Sequence, residues 1–292
     1  MIEDLTIVPR RRAFMQTAGL AGLAGLAMFA SPEMVGSAMA VPAGPLSDFD
    51  ILNFALNLEY LEAEFYTRAA FGRGLFPNET SGSGTQGTVT GGRQVQFQSN
   101  VIQQYAQEIA SDEENHVNFL RKTITALGGT PVAEPTINVG TAFAALGQAA
   151  GLGPFDPYVN DTTFLIGAFI FEDVGVTAYK GAARFIQNKD VLEAAAGLLA
   201  VEAYHASEVR TLLAGMGQQA AAQAISNLRN SVDLNGHDDQ GITLNGALNI
   251  VPTDANSLAF SRTPQQVLNI VYGNAQGKPG TFFPNGTNGK LH

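Results

Sequence analysis

No cysteine occurs anywhere in the chain. That excludes disulfides, thiolate metal ligands, iron–sulfur clusters and a lipid-anchored N-terminal cysteine. Basic residues are scarce as well: 16 Lys and Arg stand against 26 Asp and Glu, a formal charge of −10. A nucleic-acid binder needs a basic face, so that class is set aside. Histidine is limited to His116, His205, His237 and His292, which confines any imidazole chemistry to those positions. Apolar residues, by contrast, are plentiful. They make up 45% of the chain and charged residues 14%, enough for a sizeable core and unlike a disordered chain.

Residues 1–40 read as a targeting segment. Arg10-Arg11-Arg12-Ala13-Phe14-Met15 resembles the twin-arginine export signal: paired arginines, one spacer, then two apolar residues. The Gly/Ala-rich stretch Thr17 to Ala30 is shorter than the roughly 20 apolar residues of a spanning helix. Pro32 ends it, and Ala38-Met39-Ala40 is a small-x-small cleavage motif. The expectation is export by the twin-arginine machinery, cleavage near Ala40, a periplasmic or otherwise exported mature protein, and no stable membrane insertion of that form. Without cysteine, the mature chain must be held by core packing or by bound metal.

Four long segments have helical periodicity. The first spans about Asp48 to Phe71, with Ser47 or Asp48 as N-cap; a Gly/Ser/Thr-rich loop, 72–92, follows. The second spans about Gln94 to Leu127 and stops at Gly128-Gly129. A proline-containing crossover, 128–161, holds one short helix near Thr141–Ala150. Asp161 or Thr162 caps a third helix, about Thr163 to Gln187, and Asn188-Lys189 separates it from a fourth, about Asp190 to Gly215. Two helical pairs joined by one long connection predict an all-α four-helix bundle, 41–215. Residues 216–292 form an extension packing on it. Helix continues to about Val232, and Thr263-Pro264 opens a short helix ending near Gly273.

Two of the histidines have a glutamate three residues earlier, in Glu113-Glu114-Asn115-His116 and Glu202-Ala203-Tyr204-His205. Positions i and i+3 share a helix face, so carboxylate and imidazole can reach one ion together. The other two helices each offer a glutamate in apolar surroundings. Glu172 lies between Phe169-Ile170-Phe171 and Val174-Gly175-Val176, an expensive place for an unpaired carboxylate. In the first helix both Glu59 and Glu62 qualify. Glu59 has Tyr66 seven residues on, as Glu172 has Tyr179, so each Tyr shares a face with its Glu. The spacing from Glu59 to Glu172 equals that from Tyr66 to Tyr179. The spacing from Glu113 to Glu202 recurs for His116 to His205 and Arg121 to Arg210. The chain reads as two copies of a helix hairpin related by a pseudo-twofold. Glu62 would map onto Gly175, which selects Glu59. Glu62, Glu64, Glu108, Glu114 and Glu208 read as solvated helix faces. Asp112 could support the site from outside, whereas its counterpart Val201 cannot. His237 reads as a surface turn, and His292 is terminal.

Glu plus Glu-x-x-His, twice, on four helices resembles the ferritin-like di-iron and di-manganese carboxylate proteins. The stretch from Leu52 to Tyr66, LNFALNLEYLEAEFY, is similar to a bacterial ferritin-like domain family that includes plant desiccation-related proteins. The resemblance covers about Asp48 to Gly215. It implies a ferritin-like bundle holding two Fe or two Mn ions, with Glu113 and Glu202 bridging. Glu59 with His116 would serve one ion, and Glu172 with His205 the other. Tyr66 and Tyr179 match positions where relatives place a hydrogen-bond donor or electron source. The four glutamates carry a charge that two divalent ions neutralise, and oxygen-rich ligands with one imidazole per ion suit Fe or Mn better than Zn.

The expected function is reaction with O2 or H2O2 at a dinuclear centre, in oxidative or desiccation stress. The alternatives are a non-catalytic stress protein with a structural metal, and a manganese-catalase-like enzyme. The export signal, the long loop and the extension argue against an iron-storage cage. The sequence leaves open whether the chain forms a homo-oligomer.

Overall fold

The computed structural model describes residues 45–235 and 238–292. The export segment, its cleavage site and His237 lie outside the described residues. Four long helices form the bundle: α1 (Asp48–Phe71), α3 (Asn100–Ala126), α5 (Asp161–Ala183) and α6 (Lys189–Gly215). Shorter elements are α2 (Pro77–Thr80), α4 (Thr141–Ala149), α7 (Gln219–Asp233) and α8 (Pro264–Tyr272). Four two-residue strands complete the order: β1 (Val89–Thr90), β2 (Ile137–Asn138), β3 (Thr243–Leu244) and β4 (Ala247–Leu248). α1 packs along α3 and α5 along α6, the pairing that the repeat predicts.

Local chemistry sets most boundaries. Ser47 caps α1 in a capping box with Asp50, and Gly72 closes it in the left-handed conformation, where a β-carbon is costly. Thr263 and Pro264 start α8 and a left-handed Gly273 ends it, as expected. α3 departs from expectation by beginning at Asn100 instead of near Gln94. Residues before it are held extended by tertiary bonds: Val95 N–H donates to the Ala69 carbonyl, and Gln98 and Ser99 N–H donate to the Asp161 carboxylate. Asn160 caps α5, which ends at Ala183 rather than near Gln187. Gly217, at φ +71°, separates α7 from α6.

The 72–92 segment is less featureless than its composition predicts. It carries α2, and β1 pairs in parallel with β2 of the crossover, Val89 opposite Ile137. Loop and crossover thereby cover the outer face of α1. An aromatic cluster ties these layers together: Phe65 of α1 meets Phe143 of α4 at 5.3 Å, and Phe282 of the tail meets Phe143 at 5.1 Å and Phe171 of α5 at 4.9 Å. Each such ring contributes about 1.5–3 kcal/mol of burial. α5 is long and apolar enough to cross a membrane, but its apolar stretch is 83% buried within the fold. It is the central helix of the core.

The C-terminal segment is fastened by charge as well as by packing. Arg210 of α6 donates to Asp173 and to the Gln240, Gly241 and Asn249 carbonyls. Arg229 of α7 bonds Asp173 and Asp239, and Arg262 bonds Asp233 and Asp239. These arginines are buried and paired with acids from other elements, Arg210 with three backbone carbonyls as well. In the tail, Asn288 exchanges hydrogen bonds with Asn57 of α1 and donates to the Thr85 and Ala133 carbonyls.

Candidate metal centre

Each long helix delivers its acidic residue to the bundle interior. α1 contributes Glu59, α3 Glu113 and His116, α5 Glu172, and α6 Glu202 and His205, all buried. Nδ1 of His116 lies 3.3 Å from Glu59, 3.4 Å from Glu113 and 3.6 Å from Glu202. Nδ1 of His205 lies 3.1 Å from Glu113 and 3.6 Å from Glu172. The two oxygens of Glu113 therefore face different imidazoles, each near a different lone glutamate. Ligand atoms group as Glu59, Glu113, His116 and Glu202, as Glu113, Glu172 and His205, and as Glu62, Glu172 and Glu202.

These contacts are close, yet many are not hydrogen bonds. Both oxygens of Glu113 and Glu202, one oxygen each of Glu59, Glu62 and Glu172, and Nδ1 of both histidines are buried without a hydrogen-bond partner. Orphaned buried polar atoms are costly and rare. Ligands about 2.1 Å from an ion and at right angles to each other stand about 3 Å apart. Atoms this close that do not bond one another suit a shared cation. The donor set, oxygen-rich with two imidazoles, fits divalent Fe or Mn.

Electrostatics point the same way. Burial raises Glu59 to about 7, opposed by His116 and reinforced by the Glu113 charge. Burial likewise raises Glu172 to about 8, opposed by His205. Glu62 and Glu202 are pushed well above the carboxylate range by burial and by neighbouring carboxylates. Glu113 lies below that range: burial would raise it, but the two imidazoles beside it prevail. Burial works against charge on His116 and His205, yet the surrounding carboxylates carry both to about 11. The cluster therefore demands positive charge, from protons or from a cation.

Outside the ligand atoms the two halves differ. Tyr66 donates to Glu172 and Tyr179 to Glu59, so each tyrosine serves the glutamate of the other helix. Seven residues separate Glu and Tyr by about 10 Å along one axis, whereas a phenol can cross the 8–10 Å between packed helices. Tyr66 is fully buried; Tyr179 is half-buried and lines an apolar groove with Leu52, Leu58, Phe119 and Leu198. Nε2 of His205 is 3.2 Å from Asp112, which orients the ring with Nδ1 toward the centre. Arg121 reaches Tyr60 at 2.6 Å, while its counterpart Arg210 is locked into the C-terminal network.

Two glutamates assigned to solvated faces are buried. Glu64 is satisfied by Arg68 at 2.6 Å and by the Leu75 N–H at 2.8 Å. Glu62 is only 7% exposed and belongs to the ligand cluster. The middle of α1 is enclosed by the other helices, the loop and the tail, so Glu62 and Glu64 have no solvent face. Glu114, half-buried, pairs with Arg73 at 2.8 Å, and Glu108 is exposed as expected.

The sequence profile described as a ferritin-like domain matches residues 47–215, which span the whole cluster. The desiccation-related protein PCC13-62 of Craterostigma plantagineum is 32% identical over 273 residues, covering 84% of each chain. The ferritin-like catalase Nec2 of Nesocodon mauritianus is 29% identical over 272 residues, covering 84% of this chain and 85% of the relative.

Proposed function

Because the chain belongs to the ferritin-like domain family, we propose that its buried cluster holds two divalent Fe or Mn ions and turns over peroxide. The observation that carries this reading is the set of unpartnered oxygen and Nδ1 atoms converging from four helices. Glu59 and His116 would hold one ion, Glu172 and His205 the other, with Glu113 and Glu202 shared between them. When bound, the ions would supply two-electron exchange with peroxide or O2. The relative named a ferritin-like catalase favours disproportionation, in which one peroxide is reduced to water and a second is oxidised to O2.

The chain's own groups prepare the site. Tyr66 and Tyr179 are kept protonated, burial first and the adjacent glutamates second holding them well above the phenol range. Each can thus fix its glutamate through a donated hydrogen bond. The apolar surroundings exclude bulk water, which strengthens every charge interaction inside. With this arrangement, metal-loaded protein evolves O2 from added H2O2, and chelation abolishes the activity until Mn(II) or Fe(II) is restored. Metal-loaded protein that neither consumes peroxide nor evolves O2 rules out this chemistry and leaves a structural metal, as in a non-catalytic stress protein.

The same reading has the protein exported through the twin-arginine route before it acts. Replacing Arg11 and Arg12 by Lys should retain uncleaved precursor in the cytoplasm, checked by fractionation and N-terminal sequencing. Unchanged export of that variant would remove the arginine pair from the account.

A further inference from the structure

Glu62 has no counterpart in the second half of the chain. The repeat places it opposite Gly175, and the reason is spatial: a β-carbon at Gly175 would sit 2.1 Å from a Glu202 carboxylate oxygen. One half of the centre thus has a glycine that makes room for Glu202, and the other has a carboxylate. The Glu62 side chain is buried on α1, and its Oε2 has no hydrogen-bond partner. It gathers with ligand atoms of Glu172 and Glu202 within 4.8 Å, not with those of Glu59 and His116. It also borders a small apolar recess with Leu61, Val174 and Phe282, which provides nothing polar to satisfy it.

We propose that Glu62 is a further metal ligand, serving only the ion of Glu172 and His205. This rests on the two-ion reading above. A buried carboxyl oxygen with no partner is expensive, and a cation beside Glu172 would satisfy Oε2, which is without a hydrogen-bond partner. The two positions then differ in donor number and in charge. The Glu172/His205 ion gains a fourth carboxylate besides Glu172, Glu113 and Glu202, against three at the other ion, which makes it the tighter of the two.

Calorimetric titration of metal-free protein with Mn(II) tests this. Wild type should take up two ions with distinguishable affinities, and Glu62→Gln should weaken the tighter one at least about tenfold. The other ion should stay within about twofold. The substitution keeps volume and removes one of several packed carboxylates, so the metal-free variant should melt no lower than wild type. Its stabilisation by Mn(II) should be smaller, because stabilisation follows affinity. Unchanged titration of Glu62→Gln, or equal weakening of both ions, overturns the assignment. Fewer than two ions in wild type overturns instead the two-ion reading beneath it, so the two failures are told apart.

Discussion

The half of the centre built on Glu59 and His116 has Gly175 and Val201 where the half built on Glu172 and His205 has Glu62 and Asp112. The Glu and Glu-x-x-His motif repeats, but its supports do not. Nε2 of His205 faces a carboxylate; the position that would serve His116 is Val201, which cannot accept a hydrogen bond. Tyr66, on the Glu172 side, is sealed, while Tyr179, on the Glu59 side, borders an open groove. Farther out, Arg210 is immobilised by the C-terminal segment and Arg121 is not. The repeated motif thus leaves each half free to differ in charge, access and rigidity.

That comparison can be sharpened by paired substitutions. The largest contrast is in stability. Arg210→Ala strips a buried network of its guanidinium and should cost about 3–5 kcal/mol in urea unfolding. Arg121→Ala removes one hydrogen bond to Tyr60 and should cost about 1 kcal/mol. Equal losses would mean that the halves are fastened alike. Next comes metal affinity: Asp112→Ala should weaken the ion on the His205 side about 10–100-fold, with Val201→Ala neutral by the same titration.

The tyrosines should differ less. Tyr66→Phe leaves a Glu172 oxygen unpartnered away from water, costing about 1–3 kcal/mol in the metal-free protein, against about 1 kcal/mol for Tyr179→Phe. Thermal unfolding of the two variants decides it. The smallest effect concerns Glu134, on the crossover beside α1. Burial, then the neighbouring Glu64, raises it to about 8. A carboxyl raised on folding retains a proton that the unfolded chain releases, so its contribution to stability is present at low pH and fades as pH rises toward 8. Glu134→Gln should therefore stabilise more at pH 8 than at pH 5, read from urea unfolding at the two pH values. The opposite slope would show that this carboxyl is charged in the fold.

Much of this architecture was legible before any coordinates. Glu59, Glu113, His116, Glu172, Glu202 and His205 stood out because metal ligation imposes fixed spacings and because a glutamate amid phenylalanines needs a partner. Capping chemistry located α1 and α8 for equally local reasons. Glu62 qualifies by its apolar surroundings but is set aside by the repeat, which pairs it with Gly175; only the packing of α5, α6 and the tail against α1 places it at the cluster. The exchange of tyrosine partners was hidden because it depends on the gap between α1 and α5, not on spacing within either. The late start of α3 follows from bonds to Ala69 and Asp161. The arginine network joins Asp173, Arg210, Arg229, Asp239 and Arg262, which no window along the chain contains.

The most direct test is the metal content of protein purified without chelators from its native compartment, measured by elemental analysis alongside protein concentration. The account predicts about two Fe or Mn per chain, falling to none when His116 and His205 are both replaced by alanine. Protein that is folded and free of both metals, or that holds them equally well without the histidines, would contradict it.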